Sequence, residues 1–371
     1  MRFSTPGLRL LTGVLALLAL PLFGGETNSL FAGSLSITPV GSTVPPNGDV
    51  NPYGVAVVPV ALGSLIKNEI LVSNFNAVSN LQGTGTTIVQ MSQSGELSVF
   101  ATITPASLPG PCPGGVGLTT ALVALKSGFV VVGSLPTTDG SAATAQAGCL
   151  IVLNSAGVPV LTLSGGGING PWDMTALDLG SSAILFVTNV LDGTVAANGS
   201  VVKNGTVLRI VLSTPVGGTP RELGSTVIGS GFSQRTDPAA LVIGPTGLGI
   251  TSTGLLYVAD TLENRIAVIP QAVSRSSSAG VGTTVSQNGA LNQPLGLVIS
   301  PNGDILTVNA GNGDIVQTTP AGVQAAAVPI DVSGQGAGTL FGLAVAPEAD
   351  GIYYVDDGNN TLNLLQQSEI F

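Results

Sequence analysis

Residues Gly244 to Ala272 read GPTGLGITSTGLLYVADTLENRIAVIPQA. This stretch holds a Gly-Leu-Gly-Ile inner segment, a turn at Ser252-Thr253-Gly254, and an apolar strand over Leu255 to Ala259. Asp260-Thr261-Leu262-Glu263-Asn264-Arg265 then turns the chain into a further strand, Ile266 to Ile269. Short runs of branched apolar residues bounded by Gly, Pro, Asn and Ser are strand signals.

Variants of this unit recur on both sides. The first runs from Pro52-Tyr53-Gly54 through Glu69–Phe75, Thr86–Met91 and Leu97–Ile103. The second has strands at Thr120–Leu125, Phe129–Leu135, Cys149–Leu153 and Val158–Leu163. The third starts at Pro171-Trp172-Asp173-Met174 and continues through Ala183–Thr188, Thr206–Leu212 and Glu222–Ile228, with an inserted loop at Leu191–Gly205. The stretch from Gly244 is the fourth, with Thr283–Ser286 as its last strand. The fifth opens at Pro294-Leu295-Gly296, and the sixth at Phe341-Gly342. The sixth stops after Thr361–Leu365, one strand short, while Leu35–Val40 stands alone near the N-terminus. Four strands per unit at this period is the signature of propeller blades. The lone strand supplies the missing one, so the expected fold is all-β: a single six-bladed β-propeller over residues 33–371, closed by its N-terminal strand. Closure removes exposed sheet edges.

The pattern Pro-x-Gly followed by apolar alternation, a Gly turn, Ala-Asp and Asn-Arg-Ile resembles the NHL repeat. It is clearest over Pro245–Ile266 and recognisable over Pro52–Asn74, Pro294–Ile315 and Phe341–Leu362. The resemblance implies the fold but no single activity, since related six-bladed propellers include scaffolds, binding modules, lyases and lactonases. The streptogramin lyases rely on histidine and this chain has none, which also excludes a Ser-His-Asp triad and imidazole metal sites. A gluconolactonase-like propeller resembles the layout too, and it would hold one metal in the channel with Glu, Asn and Asp. Its glutamate belongs at the start of the first blade, where this chain has Asn51-Pro52.

Composition fits an ordered, exported β protein. The chain is 44% apolar, too much for disorder despite 52 glycines. Arg2 and Arg9 precede an apolar run from Leu10 to Phe23, the layout of a secretory signal peptide over residues 1–25, with cleavage as late as residue 32. The expected location is the periplasm or the exterior. A net charge of −10 without basic clusters argues against nucleic acid and against any membrane association beyond the signal peptide. Cys112 and Cys149, the only cysteines, are expected to form a disulfide in an exported protein.

The remaining chemistry lies in Asn and Asp side chains just before the inner strands and just after the second strands. Both places fall on one rim of the ring. The ligand-binding candidates are Asn51, Trp172, Asp173, Asp237, Asp260, Asn292, Asn309 and Asp356. Converging oxygens would suit Ca²⁺, while the same residue types cap turns without any ligand; no cofactor is otherwise expected. Trp172 would either stack a ligand or pack as core. The expectation is a monomeric, non-enzymatic module binding a small molecule, glycan or protein at this rim; the alternative is a metal-dependent lactonase-like hydrolase.

Overall fold

The computed structural model describes residues 33–336, 338–347 and 351–368, together with Met1 and Phe31. The segment read as a signal peptide therefore lies outside the described residues. Among the described residues no helix is long and apolar enough to cross a membrane.

Among the described residues the first strand is β1 (Leu35–Ser42), and the strands form six antiparallel sheets. Blade 1 is β2 (Val50–Val57), β3 (Ile70–Asn76), β4 (Thr87–Met91) and β5 (Leu97–Thr102). Blade 2 is β6 (Leu118–Ala124), β7 (Val130–Ser134), β8 (Cys149–Leu153) and β9 (Pro159–Leu163). Blade 3 is β10 (Pro171–Asp178), β11 (Ser182–Asn189), β12 (Val202–Ser213), β13 (Arg221–Asp237) and β14 (Leu241–Ile243). Blade 4 is β15 (Pro245–Ile250), β16 (Leu256–Asp260), β17 (Arg265–Ile269) and β18 (Thr283–Gln287). Blade 5 is β19 (Pro294–Ile299), β20 (Ile305–Asn309), β21 (Asp314–Thr318) and β22 (Gln324–Pro329). Blade 6 is β23 (Leu340–Val345), β24 (Gly351–Asp356) and β25 (Thr361–Gln367), completed by β1. The inner strands touch in ring order, β2, β6, β10, β15, β19, β23 and back to β2.

Strands in the middle of a blade are buried on both faces. All residues of β3, β7 and β8 are buried, which is why consecutive apolar residues such as Ile70–Val72, Val130–Val132 and Cys149–Leu153 replace an alternating pattern there. One face packs on the preceding blade and the other on the next. Between blades 1 and 2, for example, Leu71, Ile88 and Phe100 meet Leu118, Val130 and Ile151 in one cluster.

The Pro-x-Gly motif has a structural cause. Pairing of the first two strands slips at the motif in blades 1, 4 and 5, between Pro52 and Gly54, Pro245 and Leu248, and Pro294 and Leu297, and at the corresponding place in blades 3 and 6, between Pro171 and Met174 and between Leu340 and Leu343. Blade 2 carries a longer slip, between Leu118 and Leu122. Such bulges bend an inner strand toward its neighbour. A Cβ on Gly247 would collide with the Leu295 carbonyl of the next blade, and one on Gly296 with that of Phe341. Small residues let the inner strands close up around the channel.

Closure is as expected. β1 runs antiparallel to β25, with Ile37 opposite Leu365 and Leu35 opposite Gln367. Cys112 and Cys149 are bonded, with Cα atoms 5.2 Å apart, tying the approach to blade 2 to its third strand. Blade 3 corrects the sequence reading. The loop expected to extend to Gly205 ends earlier, because β12 begins at Val202 and pairs Val202 with Gln234. The blade also has a fifth strand, β14, opposite Arg235–Asp237. Both follow from a long hairpin that leaves the sheet and folds over the ring.

Candidate ligand-binding channel

The upper rim, where inner strands begin, is filled rather than open. Tyr53 stacks between Phe75 and Phe341, with ring centroids 4.5 and 3.8 Å away, and Trp172 leans on Phe341 at 6.2 Å. All four rings are buried, in one cluster with Leu295 and with Leu241, Val242 and Ile243 from the blade 3 hairpin. The Trp172 indole donates to the Val242 carbonyl at 3.0 Å, and Gln82 of blade 1 donates to the Pro238 carbonyl at 2.8 Å. Leu241 sits at φ 61, a conformation rare for a branched residue. Burial of its side chain in the plug holds it there. Burial, then the charges of Asp357 and Asp237, keep the Tyr53 phenol well above its ordinary pKa.

The eight residues singled out from sequence divide accordingly. Asn51 sits at φ 62 and donates its N–H to the Asn360 amide oxygen at 2.8 Å. Asp260 takes two hydrogen bonds from the buried Arg265 guanidinium, at 2.6 and 3.1 Å. Burial raises the Asp260 carboxyl pKa and the Arg265 charge opposes it. Asn309 ties the start of blade 5, accepting from Asn292 N–H at 3.1 Å and donating to the Ala290 carbonyl at 2.8 Å. Asp237 pairs with Arg235 at 3.0 Å and caps Ala239 N–H at 2.9 Å. Crevices of about 370 and 270 Å³ lie on either side of this hairpin tip, and Asp237 lines both.

Asp356 accepts from Ser333 N–H and Gly358 N–H, both at 3.0 Å. Burial and then the neighbouring Asp331 push it up to about 6. Asp357 next to it is raised to about 7 by burial, then by the charges of Asp356 and Asp331. Asp331, which the sequence reading did not single out, accepts from both the N–H and the hydroxyl of Ser333. These groups hold the last blade's loops together. Among the described residues no three His, Cys, Asp or Glu side chains are placed to share a metal ion, and the start of the first blade, where the resemblance calls for a glutamate, holds Asn51, Pro52 and the buried Tyr53. The residues present do not fit that centre.

Asp173 alone of the eight faces the channel. Below the aromatic plug, the inner strands enclose a cavity of about 300 Å³ that opens at the opposite, lower rim. Val55, Leu122, Met174, Leu248, Leu297 and Leu343 form its walls. Residues near the inner strands' lower ends, such as Val57, Val123, Asp178 and Val345, are partly exposed, while those at the upper ends are buried. The channel is therefore blind above and open below.

Register shows why Asp173 is exceptional. Gly54 N–H donates to the Ser73 hydroxyl at 3.0 Å, and Asp173 N–H makes the same bond to Thr188 at 3.0 Å. Asp173 thus occupies, in blade 3, the place that Gly54, Gly247, Gly296 and Gly342 hold elsewhere. Its side chain replaces a close backbone approach with a hydrogen bond, accepting from Leu248 N–H of the next blade at 3.0 Å. Only 8% of Asp173 is exposed. Burial pushes its carboxyl up to about 7, against the pull of the Met174 and Leu248 N–H groups. In blade 2 the longer bulge places Thr120 in the same end of the cavity. Thr120 was read from sequence only as a strand start; aligning the six motifs by strand register is the signal that finds it.

The fold was compared with known proteins. No protein-family model matches the chain, and no curated protein matches it by sequence. Among solved structures, a gluconolactonase from Xanthomonas campestris is similar at TM-score 0.57 and 12% identity, covering 91% of this chain and 90% of that one. A protein described as a putative gluconolactonase matches at TM-score 0.52 and 14% identity, over 91% and 93% of the two chains. A streptogramin B lyase matches at TM-score 0.50 and 14% identity, over 90% and 98%. At these identities the likeness establishes the class of fold, a six-bladed β-propeller with gluconolactonase-type neighbours, and nothing about chemistry.

Proposed function

We propose that this chain is an exported small-molecule-binding propeller whose ligand enters the blind channel from the lower rim. The observation that carries this is the cavity itself: a pocket walled mostly by apolar side chains, closed at one end, with the Asp173 carboxyl at its floor. That is the usual anatomy of a ligand site on a rigid scaffold. The Cys112–Cys149 bond and the lack of a membrane-spanning helix among the described residues are compatible with export. The upper-rim residues are spent on local bonds and on the plug, so the reading moves the ligand from that rim into the channel. Blocking the channel is the test. Leu343→Trp, placed on a partly exposed wall, should abolish small-molecule binding detected by thermal shift or ligand-observed NMR, with the fold intact by circular dichroism. Ligands that still bind the blocked protein would refute the site.

The second reading is a hydrolase of lactones or similar small esters. The likeness of the fold to gluconolactonases supports it, and the donor set does not. Hydrolysis of δ-gluconolactone by purified protein, dependent on added Ca²⁺ or Zn²⁺ and lost on chelation, would establish this second reading over the first.

A further inference from the structure

The floor of the channel carries one polar side chain that a ligand can reach. Thr120 lines the cavity but is only 4% exposed, and its hydroxyl is closed off within the wall, without a hydrogen-bond partner among the described residues. Asp173 stands on the adjacent inner strand, β10, which packs against β6. Its carboxylate has about four acceptor positions, of which Leu248 N–H takes one and Met174 N–H draws on another.

Charge around the cavity has one sign. Asp173 and Asp178 line it, and no Lys or Arg does. Asp178, at the mouth, is engaged by Lys126 N–H at 2.6 Å and Gly180 N–H at 2.8 Å, both backbone donors. An anionic ligand would meet two carboxylates and no compensating cation. A neutral ligand would leave Asp173 as a buried acid without a counter-charge. A cation relieves both, because a buried carboxylate gains most from a charged donor in a water-poor pocket.

We propose, on the basis of the channel reading above, that the ligand is a primary amine with an apolar body. Its ammonium group donates to the Asp173 carboxylate. The apolar body lies along Leu122, Met174, Leu248, Leu297 and Leu343. The substitution of the ring's glycine position by Asp in one blade, beside the longer bulge in the next, builds a single cationic subsite into an otherwise apolar channel.

Isothermal titration with three probes of one shape tests this: hexylamine, hexanol and hexanoate. Hexylamine should bind, hexanol more weakly by roughly tenfold or more, and hexanoate not measurably. Asp173→Asn, which keeps the shape, should weaken hexylamine by roughly tenfold or more and leave hexanol nearly unchanged. Leu343→Trp should remove all binding. If hexanol binds as tightly as hexylamine, or Asp173→Asn leaves hexylamine unaffected, while Leu343→Trp still blocks both, the amine assignment is overturned and the channel reading stands. If no probe binds, or if binding survives Leu343→Trp, both fall together.

Discussion

Replacing Asp173 by Asn removes a titrating group from the floor of the channel, and the effect on stability depends on pH in a definite direction. In the native state the carboxyl is raised from the usual 3.8 to about 7, first by burial. Between those two pH values the folded protein holds a proton that the unfolded chain has already released. Raising the pH through that window therefore favours the unfolded chain, and the penalty is complete only above about pH 7. A proton held from 3.8 to about 7 corresponds to roughly 4 kcal/mol, at 1.36 kcal/mol per pH unit. Water reaches the channel from below and screens part of this, so about 2–4 kcal/mol is the working range. Asn is neutral throughout and keeps an acceptor for Leu248 N–H. Urea unfolding should therefore show Asp173→Asn more stable than wild type by about 2–4 kcal/mol near pH 8, and the two within about 1 kcal/mol near pH 4. Asp356 and Asp357, also raised, are common to both proteins and cancel in the difference. A wild-type-to-variant difference that is the same at both pH values would refute the account of Asp173 as a buried acid.

Other perturbations address the frame. Reducing the Cys112–Cys149 bond, which spans 37 residues, or replacing both residues by Ser, should lower stability by about 2–4 kcal/mol in denaturant melts. Arg265→Met strands the buried Asp260 carboxylate without its guanidinium and should cost about 3–5 kcal/mol; a change under about 1 kcal/mol would show the pair to be dispensable. Gly296→Ala drives a methyl group into the backbone carbonyl of Phe341, which cannot swing aside, so a loss of at least about 2 kcal/mol is expected in the same assay. Removing residues 33–42 unpairs β25 and should yield dimers or aggregates in size-exclusion chromatography with light scattering, whereas a monomer would contradict the closure argument.

Much of this was legible in the residues because one local device repeats. Pro-x-Gly marks the bulge of the inner strand in blades 1, 4 and 5, and the four-strand period extends the count to the other blades, so the shortfall at Thr361–Leu365 points to Leu35–Val40. The β13–β14 hairpin was not legible. Leu241–Ile243 looks like a lead-in to Pro245, and its pairing with Arg235–Asp237 depends on burial against Tyr53, Trp172 and Phe341 from three different blades. The channel floor was hidden for a related reason. Asp173 reads from sequence as one of many turn-like carboxylates. Only the registers of all six blades show that it stands where the others need glycine. The rim Asn and Asp residues are visible in the sequence, but residue type alone does not tell a cap from a ligand contact.

The pairing of β1 with β25 joins residues more than three hundred positions apart, Leu35 with Gln367. At equilibrium this distance costs little, because closure entropy grows only logarithmically with the length of the enclosed segment. In time it costs a great deal, since contacts so remote along the chain form late. The first strand to be synthesised has no partner until nearly all the rest exists. A partly made chain is an open arc with an unpaired strand at each end, prone to join a second arc instead of itself. The clasp that makes the finished ring inert is thus the step at which folding is most exposed.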